Sequence, residues 1–181
     1  MKELSLNILD IAENSVKAKA SEVTIKIVET EDKLEFSISD NGTGMDPDFL
    51  KNVTNPFTTT RTTRPVGLGI PLLKMAAEQT GGSIEITSKH FKQFPDSHGT
   101  VTSASFYKNH IDSVPLGDIV ETVVALIQCN PGIDFVFTHE NEGKTVSLDT
   151  KELREVLGDV PLNSIEVILW IKEFLNEQYS Q

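Results

Sequence analysis

The sequence contains one cysteine, four scattered histidines and no long apolar run. Cys129 by itself permits no internal disulfide, and the histidines form no pattern of metal ligands. No stretch approaches the roughly 18 consecutive apolar residues of a membrane-spanning helix. The N-terminal segment has the pattern of an amphipathic helix that contains Asp10 and Glu13, unlike a secretory signal. We therefore expect a soluble cytoplasmic protein.

Basic residues are also scarce. Lysine and arginine number 16 against 27 aspartates and glutamates, which gives a formal net charge of −11. Because no basic run stands out, general binding to nucleic acid or to an anionic membrane is disfavoured. The charge leaves open a locally basic pocket around a nucleotide.

Hydrophobic periodicity divides the first 110 residues into helices and strands. The pattern predicts helices at about 4–20 and 47–53 and strands at 22–29, 34–39, 83–87 and 100–106. A further helix is predicted to begin at Gly67-Leu68-Gly69 and to end at Gly81-Gly82. The order of these elements indicates an α/β fold.

Residues 54–65 have a different composition. They include six threonines, Arg61 and Arg64, and Phe57 is their only large apolar side chain. Such a segment cannot build a core, so it is interpreted as a loop that orders on a ligand. A surface loop without a ligand is the alternative.

The pattern changes near His110, and we predict two regions, residues 1–109 and 110–181. The second is predicted to contain a helix to about 128, a hairpin with strands at 133–139 and 144–148, and helices at 151–157 and 165–178. This small α+β appendage of about 70 residues is too short for a large core of its own. We expect it to pack on the first region.

Asp10, Asn14 and Lys17 recur at helical spacing on the polar side of the first helix. A carboxylate, an amide oxygen and an ammonium in one column suit a Mg²⁺–polyphosphate group. The amide oxygen is a hard ligand, the ammonium neutralises phosphate, and the carboxylate can orient or deprotonate an attacking group. A solvated helix face is the alternative for this helix taken alone.

Two glycine motifs follow strands or open helices. Asp40-Asn-Gly42-Thr-Gly44 ends the second strand, where the glycines permit positive φ and close approach of a ligand. Gly67-Leu68-Gly69 offers backbone N–H groups at a helix start, which is a ready anion site. Each motif alone is weak, since a turn explains the first and chance explains the second.

Taken in chain order, five segments resemble the ATP-binding domain shared by gyrase B, Hsp90, histidine kinases and MutL, the GHKL superfamily. The segments are residues 10–15, 40–44, 55–61, 67–73 and 99–100. The resemblance covers roughly residues 4–108 and is nearest to a stand-alone histidine-kinase-like ATPase domain. Residues 110–181 have no counterpart in the generic domain.

The resemblance implies a Bergerat-type fold, a two-layer α/β sandwich with a mixed, mostly antiparallel sheet and nucleotide held between the helices and a lid. It implies that Asp40 accepts a hydrogen bond from the adenine amino group, that Thr100 supports Asp40, and that Asn14 holds Mg²⁺. The other nucleotide-binding residues that it implies are Lys17, Gly42, Gly44, Phe57, Arg61, Gly67, Leu68 and Gly69.

Two departures from the family bear on turnover. Asp10 stands where hydrolytic members carry a catalytic Glu, and its side chain is one methylene shorter. The lid between Phe57 and Gly67 is short, which suggests weaker exclusion of water or closure by a partner.

The function implied is ATP binding with phosphoryl transfer to a protein in trans, or slow ATP hydrolysis, with Asp10 as the catalytic residue. The alternative is a non-catalytic switch, in which nucleotide regulates binding of a protein partner. Because the chain starts directly with the Asp10 helix, we do not expect a complete sensor kinase. The protein partner or substrate is unknown, a homodimer stays open, and neither nucleic acid nor membrane is expected.

Overall fold

The protein is described by a computed structural model that covers residues 2–55 and 68–181. Within these ranges the helices are α1 (Leu4–Lys17), α2 (Pro47–Asn52), α3 (Gly69–Gln79), α4 (Ile119–Cys129), α5 (Thr150–Leu157) and α6 (Ile165–Ser180). The strands are β1 (Glu22–Glu29), β2 (Lys33–Asp40), β3 (Ser83–Lys89), β4 (Gly99–Tyr107), β5 (Asp134–Asn141) and β6 (Lys144–Asp149).

The six strands described form one sheet in the order β3-β4-β2-β1-β5-β6. Only β1 and β5 run parallel, and the other neighbours are antiparallel. The sheet is therefore mixed and mostly antiparallel, and helices cover one of its faces. This arrangement confirms the predicted two-layer α/β fold.

The core lies between the helices and one face of the sheet. Alternate residues of β1, such as Val23, Ile25 and Ile27, are buried, and Ile8 and Ile11 of α1 are buried with them. This alternation is the expected result of the strand period of two. The other face carries small and polar side chains on the central strands.

The C-terminal region continues the sheet. β5 pairs with β1 along its whole length, from Glu22↔Asp134 to Glu29↔Asn141. β5 and β6 are joined by a two-residue turn at Glu142 and Gly143, which have φ of 46° and 86°, as a type I′ hairpin requires. The predicted hairpin is confirmed. The domain boundary at residue 110 stays a prediction.

A polar cluster around the buried His139 ties the two regions together at one end of β1. His139 of β5 is only 4 % exposed. Its Nε2 donates to Glu29 Oε1 at 3.0 Å, and its Nδ1 lies 2.7 Å from the Tyr179 hydroxyl of α6. Lys108 Nζ contacts the other Glu29 oxygen at 3.0 Å. Each ring nitrogen of the buried imidazole therefore has a partner.

Among the helices described, none has the combination of length and apolar character needed to cross a bilayer.

Candidate functional site

The polar side of α1 faces the start of α3. A Cβ built on Gly69 would lie 3.6 Å from Asp10 Cβ and 4.0 Å from Asn14 Nδ2. Asn14 is exposed and Asp10 is half-buried. The absence of a side chain at Gly69 therefore leaves the two polar side chains next to the first turn of α3.

The environment of Asp10 disfavours its charge. Burial raises the pKa of the Asp10 carboxyl above its ordinary value of 3.8, and the nearby Glu13 raises it further. Lys17 acts in the opposite direction on the same carboxyl. Lys17 itself reaches Glu13 at 3.9 Å, in an ion pair between half-exposed side chains. Such pairs contribute little and exchange partners readily.

Asp40 ends β2 with both carboxylate oxygens engaged. The buried Ser15 hydroxyl, one residue after Asn14 on α1, donates to Asp40 Oδ2 at 2.5 Å. The Gly42 N–H donates to Oδ1 at 2.9 Å. These two donors fix the carboxylate in position directly beside α1.

Thr100 is the register partner of Asp40 on the neighbouring strand β4. It is 9 % exposed, and its hydroxyl lies 2.7 Å from the Ser88 hydroxyl of β3. The Ser88 hydroxyl also accepts from the Met45 N–H at 2.7 Å. A hydrogen-bonded path thus runs from Thr100 to the chain that leaves the 40–44 turn.

The two glycines of that turn serve different purposes. Gly44 has φ of +70°, and a Cβ there would lie 2.0 Å from the Lys89 carbonyl oxygen. Gly42 does not use this freedom, because its φ is not positive. A Cβ on Gly42 would instead meet the Ala18 carbonyl oxygen at 2.7 Å. Gly42 is therefore required because the turn packs against the end of α1, where the Thr43 N–H donates to the same Ala18 oxygen at 2.8 Å.

The loop between β3 and β4 holds the turn from its other side. His98 Nδ1 donates to the Gly42 carbonyl at 2.5 Å, and the Phe91 N–H donates to the Thr43 carbonyl at 2.9 Å. Sequence analysis missed Ser15, Ser88 and His98. Ser15 could have been found from its position beside Asn14, whereas the other two belong to no motif and act through contacts distant in sequence.

The predicted site residues thus fall into two neighbouring groups that Ser15 connects. Asp10, Asn14 and Gly69 form one group, and the second comprises Asp40, Gly42, Gly44 and Thr100. Leu68 is the exposed N-cap residue of α3, and Lys17 is the last residue of α1. Phe57, Arg61 and Gly67 lie outside the described residues.

The N-terminal region matches a known protein family. Residues 2–110 match the family described as histidine kinase-, DNA gyrase B-, and HSP90-like ATPase. Sensor protein KdpD of Clostridium acetobutylicum is 33 % identical over 94 residues, which are 49 % of this chain and 10 % of that protein. Sensory histidine kinase/phosphatase NtrB of Rhizobium meliloti is 42 % identical over 57 residues, 32 % of this chain and 15 % of that protein. The chain therefore spans only a small part of these relatives.

A solved structure shares the fold at low identity. The crystal structure of the N-terminal domain of a DNA repair protein has a TM-score of 0.54 and 16 % identity, and covers 88 % of this chain and 58 % of that chain. This likeness extends beyond residue 110 and agrees with the two-layer fold observed here.

Proposed function

The chain belongs to the family of histidine kinase-, DNA gyrase B- and HSP90-like ATPases, and we propose that it binds Mg-ATP between α1, the 40–44 turn and the start of α3. The observation that carries the proposal is the hydrogen bond from Ser15 to Asp40. It brings an acceptor suited to adenine next to the helix that presents Asn14.

Asp40 fits the adenine amino group. Each carboxylate oxygen has two lone pairs, and the donors from Ser15 and Gly42 use one on each oxygen. An acceptor site therefore remains for an amine donor. Thr100, buried beside Asp40 on β4, has a hydroxyl that can complete the recognition of the purine.

The start of α3 and the outer side of α1 fit the phosphates. Leu68, the N-cap residue of α3, makes no side-chain hydrogen bond to the amides of the first turn, and Gly69 places no side chain between this turn and Asn14. The exposed Asn14 supplies a hard oxygen for Mg²⁺, whose charge would offset that of the phosphates. Lys17 can exchange its weak pair with Glu13 for a phosphate oxygen.

We further propose that the site transfers phosphoryl to a protein in trans or hydrolyses ATP slowly. The raised pKa of Asp10 makes this carboxylate a better proton acceptor than a fully solvated aspartate. Asp10 would take the proton of the attacking group, while the fixed donors of the site position the nucleotide. The relatives that are sensor kinases support this reaction class.

Calorimetry with Mg-ATP tests binding. Asp40→Asn should weaken binding at least about tenfold, because the purine amine loses a charged acceptor. Asp48→Asn is the matched control, since Asp48 is an exposed carboxylate on α2 and should leave the affinity unchanged. A folded wild-type protein that does not bind Mg-ATP would refute the proposal.

Single-turnover assays with γ-labelled ATP test the chemistry. Wild type should release or transfer label, and Asp10→Asn should do so at least about a hundredfold more slowly. Tight binding without labelled product from either protein would instead identify a nucleotide-dependent switch.

A further inference from the structure

The outward face of α6 combines exposed apolar and acidic side chains. Ile165, Leu169 and Trp170 are 75 %, 56 % and 47 % exposed, and Trp170 stacks on Phe174 at 4.8 Å between ring centroids. The same side of the helix carries Glu166, Glu173 and Glu177, as their spacing on a 3.6-residue period requires. We call Ile165, Leu169, Trp170 and these three glutamates the α6 outer face, while Phe174 is partly buried against the core beneath Trp170.

The rest of the molecule holds α6 firmly in place. Val167, Ile171 and Leu175 are buried on the opposite side of the helix. Near the C-terminal end, the Gln178 amide accepts from the Ser147 N–H and donates to the Ser147 carbonyl of β6, both at 3.0 Å. Tyr179 is bound to His139. The α6 outer face is therefore presented to solvent by a fixed helix, and its apolar side chains cannot turn inward without breaking these contacts.

The charge of this face is uncompensated. Within residues 2–55 and 68–181, neither a hydrogen bond nor an ion pair engages the side chains of Glu166, Glu173 and Glu177. Lys172 is the one basic residue of α6, and it pairs instead with Glu121 of α4. The surface thus offers apolar area together with three free carboxylates.

We propose that the α6 outer face is a docking surface for a basic amphipathic segment of another protein. Leucine-like side chains of the partner would cover Leu169 and Trp170, and its lysines or arginines would meet the carboxylates. A second copy of this chain would set acid against acid, and anionic lipid or nucleic acid would be repelled. This proposal does not depend on nucleotide turnover.

The single tryptophan provides a direct readout. Trp170 is the only tryptophan in the chain. Its fluorescence emission therefore reports whether a bound partner shields the α6 outer face from solvent. A synthetic amphipathic helix of leucine and lysine, without aromatic residues, should shift Trp170 emission to shorter wavelength in a saturable titration. The corresponding leucine–glutamate helix should produce no shift. No saturable shift with the lysine helix would overturn the proposal.

Charge reversal distinguishes this surface from the general acidity of the protein. Glu166→Lys with Glu173→Lys should weaken binding of the lysine helix at least about tenfold. Glu85→Lys with Asp96→Lys makes the same change of charge on exposed residues of β3 and its following loop, and should have less than about a twofold effect. Equal weakening by both pairs would mean non-specific attraction and would overturn the proposal.

Leu169→Ser tests two points: whether the apolar side chains of the α6 outer face contribute to binding, and whether a second copy of this chain occupies that surface instead. It should weaken the lysine helix at least about fivefold while Mg-ATP affinity stays at the wild-type value. Sedimentation should show a monomer for both proteins. A wild-type dimer that Leu169→Ser dissociates would assign the surface to a second copy instead. Mg-ATP binding is measured in the same variants. The ATP-binding proposal and the docking proposal can therefore fail independently of each other.

Discussion

Two glycines beside the candidate nucleotide site differ from two glycines of the C-terminal region in what surrounds them. A Cβ on Gly44 or Gly99 would lie 2.0 or 1.9 Å from a backbone oxygen of another segment. A Cβ on Gly132 or Gly158 would meet nothing within 4 Å among the described residues. The chain is thus pressed together at Gly44 and Gly99 beside the candidate nucleotide site, whereas Gly132 and Gly158 lie in open space.

Two hydrogen-bonded carboxylates show a related contrast in where their partners come from. The donors to Asp40, Ser15 and the Gly42 N–H, both lie in the N-terminal region. Glu29 accepts from Lys108 and from His139 of β5, and His139 in turn contacts Tyr179 of α6. The first carboxylate is held locally beside the candidate site, and the second helps to attach the C-terminal strands to the sheet.

The largest effect is expected at the packed glycines. Gly44→Ala should lower the free energy of unfolding by about 3 kcal/mol, because it combines a backbone clash with a positive φ. Gly132→Ala should change it by no more than about 0.5 kcal/mol, since the added methyl meets open space and the residue does not have positive φ. Urea denaturation of the two variants measures both values. Similar losses in the two variants would remove the contrast between the regions.

The next largest effect is expected at Glu29. Glu29→Gln should destabilise the protein by about 2 kcal/mol at pH 7, because a carboxylate that accepts from His139 and Lys108 becomes a neutral amide. Glu31→Gln on the neighbouring exposed turn is the matched control and should have little effect. Chemical denaturation followed by circular dichroism gives the comparison.

The same variant should show a defined pH dependence. The hydrogen bond from His139, with support from Lys108, holds the pKa of Glu29 below its ordinary value of 4.5. The ionised carboxylate therefore stabilises the fold fully above pH 4.5, and this contribution is lost as pH falls through the lower folded pKa. The gap between wild type and Glu29→Gln should close in that acidic range. A gap that is constant with pH would show that packing, not charge, holds the cluster.

Local sequence patterns predict the helices and strands. The pairing of the strands depends on long-range contacts, which local patterns do not encode. The alternation of 22–29 predicted β1 with the bounds that the structure has, because its inward residues are all apolar. The parallel pairing of β1 with β5 joins residues more than 100 positions apart, and no local period encodes it. The burial of His139 also depends on long-range contacts, since its partners Glu29 and Tyr179 come from distant segments.

The candidate site divides in the same way. Asp10, Asn14, Asp40 and Thr100 were identifiable because their spacing matches a family pattern, although their roles stay predictions. The reason for Gly42 could not be read from the sequence, since it depends on how closely Ala18 approaches the turn. The sequence therefore identifies the candidate site residues better than it identifies the steric requirements of the turn around them.

The smallest effect is expected at Asp10, and it has the opposite sign. The raised folded pKa means that Asp10 costs stability when it ionises, so its unfavourable contribution appears as pH rises through that pKa. Asp10→Asn should raise the free energy of unfolding at pH 7 by no more than about 0.5 kcal/mol, because solvent screens a side chain that is still partly exposed. Below the ordinary pKa of 3.8 both proteins carry no charge there, and the gain should vanish. Thermal unfolding across this pH range checks the sign. If Asp10→Asn were instead less stable than wild type at pH 7, Asp10 would stabilise the fold. It would then not be a residue that lowers stability in return for binding or catalysis.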